Sequence, residues 1–512
     1  MNEIQKSLLI GMVIPAMYAD ASHPNILYIV ADDLENIHLG CYGGAWPTPN
    51  IDRLAARGIR FTRFYAASTI CTPARYNLLT GRYASRNQWL IDNDCPAGEP
   101  AFIRWNVKLD GSEKTIASYM PAEYHKTYIG KWHNGEPELF HVPYASVADD
   151  PEQQTVYEKN YRISCDFVMA SSHFDEVRDP YVNNVEWLPL SKDLMGHHQH
   201  RLTYDAIEIL RESKGKPFLI HLASTLPHWP RPYEALNLDE RGTVRGYMDE
   251  HVNIQPSYND LKRRIAGNEP IPDILPFETY SGETRDYYAG VIWLDDAIGR
   301  ILDELDMQGL TDSTYIILVS DHSSWSKMTA NLGTCPLIIS GPGIQPAVSD
   351  TLVSGVDIVP TVAELAGGSL PDCTDGKSLM PVLRNETSEH RPSVFIEVTY
   401  TRGVATKEWK YIATRFPEHI RSNITSENRR QFNQEGLASS PGNPDGKMIA
   451  RYSSDKKFPG YFDDDQLYDL RSDPDEQNNL ADNPQYRQKL EEMKSILKSY
   501  CSELPHSFGE FK

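Results

Sequence analysis

Short apolar runs that end in polar residues recur along the first two thirds of the chain. The first, residues 25–30, is continuous and rich in branched side chains, which is typical of a strand buried on both faces of a parallel sheet. Similar runs cover residues 127–129, 217–224 and 314–320, and apolar residues at helical spacing predict a long helix over residues 287–305. Strands that alternate with helices predict an α/β domain with a mostly parallel sheet.

Further elements are predicted between the first two of these runs. Thr48 and Pro49 are predicted to be the N-cap and first residue of a helix that ends at Gly58. Residues 59–65 predict a second strand. Pro73 is preset for the first turn of another helix, which Cys71 would immediately precede.

The pattern changes at about residue 392, where shorter strands replace the α/β alternation. Strands are predicted at residues 394–398, 409–412 and 466–470, and a final helix near residues 486–500. A chain of 512 residues is long enough for two domains. We therefore predict an N-terminal domain over residues 22–391 and a smaller α+β subdomain with an antiparallel sheet over residues 392–512.

The N-terminus has the pattern of a secretory signal. Residues 7–19 form a short apolar run behind Lys6, and Ala19-Asp20-Ala21 has the small residues of a cleavage site. We predict a signal peptide over residues 1–21; the alternative is a buried N-terminal segment. Because the run is too short to span a bilayer, we expect export without membrane insertion: periplasmic or secreted in a bacterium, secretory or lysosomal in a eukaryote.

Composition narrows the range of partners. The formal net charge is −21, which argues against nucleic acid and anionic membranes as partners. The seven cysteines are few for an exported chain of this length, and their odd number leaves at least one unpaired. Any pairing among them cannot be deduced, and they are equally compatible with buried thiols.

Chemically active side chains follow directly after the predicted strands. The sequence places them at Asp32 and Asp33, Lys131 and His133, His228, and Asp321 and His322. The carboxyl ends of strands in an open α/β sheet share one edge, where ligands bind. Asp32, Asp33 and Asp321 could bind a hard divalent cation there through oxygen ligands, although adjacent carboxylates are also common in solvated turns.

The segment Cys71-Thr72-Pro73-Ala74-Arg75, followed by Leu79-Thr80-Gly81-Arg82, carries the most specific signal. A helix N-terminus can face an anion, and Arg75 adds a permanent cation one turn along. The segment resembles the signature of the type I sulfatases, whose cysteine a maturation enzyme oxidises to formylglycine. Gly130-Lys131-Trp132-His133 also matches that family's Gly-Lys-Trp-His segment, and the resemblance extends from Asn25 to Glu476.

The resemblance implies a fold, a cofactor and an activity. The fold is alkaline-phosphatase-like, a large mixed, mostly parallel sheet sandwiched by helices, with a smaller C-terminal domain carrying an antiparallel sheet. The activity is hydrolysis of O-sulfate esters, which we expect on a carbohydrate such as a sulfated glycan. The resemblance further implies one calcium ion, whose ligands would be Asp32, Asp33, the modified Cys71 and Asp321, with His322 standing where the family has Asn or His.

The resemblance also implies how the sulfate is held and attacked. One hydroxyl of the hydrated formylglycine at residue 71 would attack sulfur, while the metal, Arg75, Lys131 and Lys327 stabilise the sulfate oxygens. His133, which contacts the hydroxyl of this residue in the family, would then remove the second proton so that sulfate is eliminated.

The leaving alcohol needs a proton, for which there are two candidates. In Pro227-His228-Trp229-Pro230, His228 matches the family histidine at the ester oxygen. In Trp325-Ser326-Lys327, Lys327 matches the family's leaving-group lysine. The chain departs from the family just before this point, because Ser323 replaces a glycine and the glycine-rich segment is missing. This shortening predicts a more open substrate mouth.

Two other functions stay open at this point. A phosphonate or phosphate monoester hydrolase of the same superfamily could use the same pocket for a tetrahedral phosphoryl group. A sulfated-glycan-binding protein without catalysis would result if Cys71 remained a thiol.

Overall fold

An eight-stranded sheet forms the centre of the computed structural model, which describes residues 23–95, 101–228, 231–248, 254–267, 284–371, 373–425 and 458–509. The predicted signal peptide lies outside the described residues. The strand bounds are β1 (Asn25–Asp32), β2 (Gly58–Phe61), β3 (Phe64–Tyr65), β4 (His125–Lys131), β5 (Glu176–Tyr181), β6 (Phe218–Pro227), β7 (Gly242–Thr243), β8 (Gly246–Tyr247), β9 (Thr314–Ser320), β10 (Leu337–Ser340), β11 (Ala347–Ser349), β12 (Val353–Ser354), β13 (Val394–Val398), β14 (Thr401–Ala405), β15 (Trp409–Thr414) and β16 (Asp465–Asp469).

Helices cover the sheet. Their bounds are α1 (Pro49–Ala55), α2 (Cys71–Thr80), α3 (Gln88–Asn93), α4 (Pro151–Ser172), α5 (Gln199–Glu212), α6 (Pro232–Ala235), α7 (Tyr258–Gly267), α8 (Thr284–Met307), α9 (Ile358–Leu365), α10 (Met380–Leu383), α11 (Glu418–Arg421) and α12 (Arg487–Ser502). None of the helices in the described ranges is long and apolar enough to cross a membrane.

The large sheet has the order β11-β2-β10-β9-β1-β6-β4-β5. β10 runs antiparallel to both of its neighbours, and the other pairs are parallel. The predicted mixed, mostly parallel sheet is therefore confirmed. All eight residues of β1 are buried, as expected for a strand covered on both faces.

The register of β1 brings several strand ends together. Ala31 pairs with Ser320 of β9, and Asp32 pairs with Pro227 of β6. β4 lies beside β6 in the same direction. The residues that follow β1, β4, β6 and β9 consequently meet at one edge of the sheet.

Three local predictions near the N-terminus were wrong in detail. Residues 59–65 form two strands, because β3 leaves the large sheet and pairs with β12. Helix α1 ends at Ala55, and Gly58 begins β2, where a Cβ would lie 2.3 Å from the carbonyl oxygen of Ile339. Cys71 does not precede its helix but is the first residue of α2.

The predicted antiparallel sheet near the C-terminus is confirmed, with the order β13-β14-β15-β16. Helix α12 packs on it through Leu490, Met493 and Leu497. The sequence did not predict β14, which contains the buried Arg402. The predicted boundary between residues 391 and 392 stays a prediction.

A buried contact joins this second sheet to the site-bearing part of the chain. The Glu476 carboxylate accepts hydrogen bonds from Asn331 Nδ2, the backbone N–H of Leu332 and Lys410 Nζ, each at 2.9 Å. Because Asn331 follows Lys327 by four residues, this contact fixes the segment on which Lys327 stands.

Candidate active site

Ten polar or nucleophilic residues converge at the carboxyl edge of the large sheet. They are Asp32, Asp33, Cys71, Arg75, Lys131, His133, His228, Asp321, His322 and Lys327. None is more than 9% exposed. The structure thus brings together every site residue expected from the sequence, while the role of each one stays a prediction.

Both lysines contact the carboxylates at the end of β1. Lys131 Nζ donates to Asp32 Oδ2 and, at 2.6 Å, to Asn184 Oδ1. Lys327 Nζ donates to Asp33 Oδ2 at 3.0 Å and lies 3.0 Å from His228 Nε2. The two ammonium groups therefore enter the site from different strand ends.

Arg75 projects from the first turns of α2. Its Nη2 lies 3.0 Å from Asp321 Oδ2 and 3.7 Å from Asp32 Oδ1, and its Nη1 donates to the carbonyl oxygen of Lys131 at 3.1 Å. Although burial acts in the opposite direction, the two carboxylates raise the pKa of Arg75. The guanidinium is therefore a fixed cation in a site closed to bulk water.

Four donors could hold a metal ion. Oxygens of Asp32 and Asp33, Cys71 Sγ and a His322 ring nitrogen all lie within 4.8 Å of one another. His322 Nε2 is 3.1 Å from Cys71 Sγ, and its Nδ1 is 3.2 Å from Asp33 Oδ1. Asp32 Oδ1 is buried without a hydrogen-bond partner among the described residues, which is a costly state for a carboxylate oxygen and fits a cation site.

The chemistry of this donor set favours a hard cation once residue 71 is modified. Carboxylate oxygens suit calcium, whereas a thiol suits softer metals. A hydrated formylglycine at residue 71 would present oxygen in place of sulfur. The carboxylates of Asp32, Asp33 and Asp321 face Arg75, Lys131 and Lys327, and a divalent cation bound among them would add positive charge suited to an anionic ester.

Asp321 lies outside this group of four donors. Its Oδ1 accepts hydrogen bonds from the backbone N–H groups of Asp33 and His322, at 3.2 and 2.8 Å, and its Oδ2 faces Arg75. Burial and the neighbouring Asp32 raise the pKa of Asp321 to about 6. Its predicted part as a metal ligand stays a prediction.

The three histidines differ in protonation. Burial lowers the pKa of His228 to about 3, and Lys327 adds to this effect, so His228 is neutral and can accept from Lys327 Nζ. Burial also lowers the pKa of His133 well below its usual value. Burial would lower the pKa of His322 too, but Asp321 and Cys71 outweigh it and raise that pKa to about 10.

The backbone bends sharply where the strands deliver these residues. Asp33 and His133 have φ values of 66° and 59°, in the left-handed region that non-glycine residues rarely adopt. At Gly130, with φ of 91°, a Cβ would lie 2.1 Å from the carbonyl oxygen of Ala223 in β6. Only glycine fits there, and the resulting irregularity in β4 directs Lys131 toward Asp32.

Sequence reasoning missed Glu35, which organises the shortened segment after Asp321. Its carboxylate accepts hydrogen bonds from the hydroxyl groups of Ser323 and Ser324, both at 2.8 Å, and from the backbone N–H of Trp325. Ser323, in place of the family's glycine, therefore anchors a compact turn. That turn still brings Lys327 to Asp33.

Asn184 was also missed. It follows β5 and its Oδ1 accepts from Lys131 Nζ. Its only signal in the sequence was its position after a strand end. That signal is weak, because acidic and amide residues at such positions are usually solvated.

The sequence of this chain is similar to those of known sulfatases. The profile of the family described as Sulfatase matches residues 24–369. Human arylsulfatase A is 28% identical over 519 aligned residues, which cover 93% of this chain and 86% of that protein. The N-acetylglucosamine-6-O-sulfatase of Bacteroides thetaiotaomicron is 25% identical over 551 aligned residues, with coverages of 93% and 86%.

The fold is likewise similar to solved structures. The structure of a protein in complex with its substrate, D-glucosamine-2-N,6-O-disulfate, matches with a TM-score of 0.57 and 19% identity, over 94% of this chain and 98% of that one. The family match spans more than half of the chain and includes all ten site residues. This chain belongs to the sulfatase family.

Proposed function

We propose that this protein hydrolyses O-sulfate esters of a carbohydrate, with residue 71 as formylglycine and one calcium ion as cofactors. The observation that carries the proposal is the convergence of three cationic side chains, Arg75, Lys131 and Lys327, around the helix start at Cys71. The sugar is suggested by relatives such as the N-acetylglucosamine-6-O-sulfatase.

Two groups supply chemistry that the twenty unmodified side chains lack. Hydrated formylglycine at residue 71 would supply a hydroxyl nucleophile for sulfur and a second hydroxyl whose deprotonation would allow sulfate to leave. Asp32, Asp33, residue 71 and His322 would hold the calcium ion, which would supply positive charge to the sulfate oxygens. Asp321 would complete this ligand set as the family's pattern implies.

The chain's own residues bind and orient the sulfate. Arg75 and Lys131 lie on the side of Asp32, where each can bind a sulfate oxygen in a site that excludes water. Fixed cations in such an environment stabilise developing charge strongly, because no solvent must reorganise. Asn184 positions Lys131 through the contact at 2.6 Å.

The second lysine serves the leaving alcohol. Lys327 donates hydrogen bonds to Asp33 and to the neutral His228, and these two contacts hold its ammonium group in the site, where it would protonate the leaving oxygen. His228 accepts and orients this ammonium group. His133 is the proposed acceptor of the proton from residue 71; burial lowers its pKa and keeps its ring neutral, so a ring nitrogen is open to accept.

Substrate selectivity tests this proposal against the phosphoryl alternative. The enzyme, co-expressed with a formylglycine-generating maturation enzyme, is assayed on p-nitrophenyl sulfate, p-nitrophenyl phosphate and a phenyl phosphonate ester, with Cys71→Ala as the matched control. We expect the highest kcat/KM on the sulfate. A preference for phosphate or phosphonate would favour the other hydrolase, and binding of sulfated sugar without turnover by modified enzyme would favour a binding protein.

Export remains part of the proposal. The apolar run over residues 7–19 supports a signal peptide, and expression of the full chain with N-terminal sequencing of the product tests for cleavage after residue 21.

A further inference from the structure

A solvent-exposed tryptophan stands on a fixed turn beside the site. Trp187 is 72% exposed and ends the 3-10 turn Val185–Trp187. Its backbone N–H donates to the carbonyl oxygen of Asn184 at 2.9 Å. Val185 and Leu188, on either side of the exposed ring, are buried. The turn is thus anchored by its buried neighbours, while the indole is exposed to solvent.

This turn adjoins the sulfate-binding lysine. Asn184, from which the turn starts, accepts from Lys131 Nζ at 2.6 Å. The preceding Asn183 donates from Nδ2 to Glu136 Oε2 at 2.9 Å, which ties the turn to the segment after β4. Trp187 therefore lies three residues along the chain from Asn184, which contacts the lysine proposed to hold the sulfate.

Glu186, between Asn184 and Trp187, brings a negative charge to the same place. Its Oε2 is buried and has no hydrogen-bond partner among the described residues. Burial raises the pKa of Glu186, while the charges of Lys131 and Lys327 lower it, so the carboxylate lies within the electrostatic field of both lysines. A carboxylate can accept hydrogen bonds from hydroxyl or amino groups, and it repels a second anion.

We propose that Glu186 and Trp187 form the subsite for the sugar ring that carries the sulfate. The indole packs against the apolar face of the ring, and the Glu186 carboxylate accepts hydrogen bonds from its hydroxyl or amino groups. The subsite selects a neutral or amino hexose and disfavours a ring with a carboxylate or a second sulfate near the first. This inference rests on the proposed sulfatase function and names its substrate class.

Inhibition of p-nitrophenyl sulfate hydrolysis tests the subsite with three probes: inorganic sulfate, galactose 6-sulfate and glucuronic acid 2-sulfate. We expect Trp187→Ala to raise the inhibition constant of galactose 6-sulfate about tenfold and to leave that of inorganic sulfate unchanged, since sulfate alone needs no ring subsite. We expect Glu186→Gln to shift the preference toward glucuronic acid 2-sulfate by about tenfold.

Met307→Ala is the matched control, because Met307 is 64% exposed at the end of α8, before the amino end of β9 and so at the opposite edge of the sheet. Equal inhibition of wild type and both subsite variants by the two sugar sulfates would overturn the inference. It would also be overturned if the variants weakened inhibition by inorganic sulfate as much as inhibition by the sugar sulfates. Absence of aryl sulfate turnover by wild type would refute the proposed function instead. In that case, calorimetric binding of the same probes to wild type and to the two subsite variants would still test the subsite.

Discussion

Replacement of Lys327 by methionine separates proton donation from sulfate binding. The substitution removes the ammonium group that contacts Asp33 and His228, both at 3.0 Å, but keeps most of the side-chain volume. A positioned general acid contributes about 10²- to 10⁴-fold to rate. We therefore expect kcat for a sulfated methyl hexoside to fall by about 10²- to 10⁴-fold, because a sugar alkoxide cannot leave unprotonated.

An activated aryl sulfate should respond differently. Its phenolate leaves without a proton, so we expect Lys327→Met to lower kcat for p-nitrophenyl sulfate by only about tenfold, through the lost positive charge. Lys131→Met is the matched control: it removes a buried lysine paired with Asp32, and we expect it to impair both substrates equally and to raise KM.

Stability must be followed in parallel. Lys327 and Asp33 are each 2% exposed, and loss of one partner of a buried pair costs about 3–5 kcal/mol. Asp33 keeps the cationic His322 at 3.2 Å, so we expect the lower end of this range by urea unfolding. Equal rate losses on both substrates in folded enzyme would refute Lys327 as the acid.

Three further predictions concern the nucleophile, the metal and the turn after Asp321. Cys71→Ala should abolish turnover in steady-state assays yet keep the wild-type circular dichroism spectrum. Chelation should lower both activity and Tm, because Asp32 and Asp33 lose a shared counter-ion, and added calcium should restore both. Activity and Tm that did not change with chelator would contradict this prediction. Glu35→Ala leaves three donors unpaired, so we expect a loss of about 3 kcal/mol or more in chemical unfolding and a lower kcat on sugar sulfates, with little change in KM.

The convergence of the site residues could be predicted from the sequence because the ends of the strands are visible in it. The apolar runs before Asp32, Lys131 and Asp321 end directly at these residues, and parallel neighbours place such ends at one edge. Convergence of the site residues thus follows from local patterns together with one rule of sheet topology.

Residues whose importance depends on tertiary contact were not predictable in the same way. Glu35 resembles a surface carboxylate in the sequence, and only the return of Ser323 to β1 buries it. β14 was missed because Arg402 interrupts its apolar pattern. That guanidinium donates to the nearby carbonyl oxygens of Thr399 and Thr401 and, at 2.7 Å, to that of the distant Ala101. Glu476 acquires its role only when the second sheet packs against Asn331.

The most direct test of the account measures turnover against the modified fraction of residue 71. Co-expression with graded amounts of maturation enzyme gives preparations whose formylglycine content is read by mass spectrometry of the tryptic peptide ending at Arg75. The account predicts that kcat for a sulfate ester rises in proportion to this fraction and extrapolates to zero for the unmodified thiol. Sulfate ester hydrolysis that was independent of the fraction, or absent from fully modified, calcium-loaded enzyme, would contradict it.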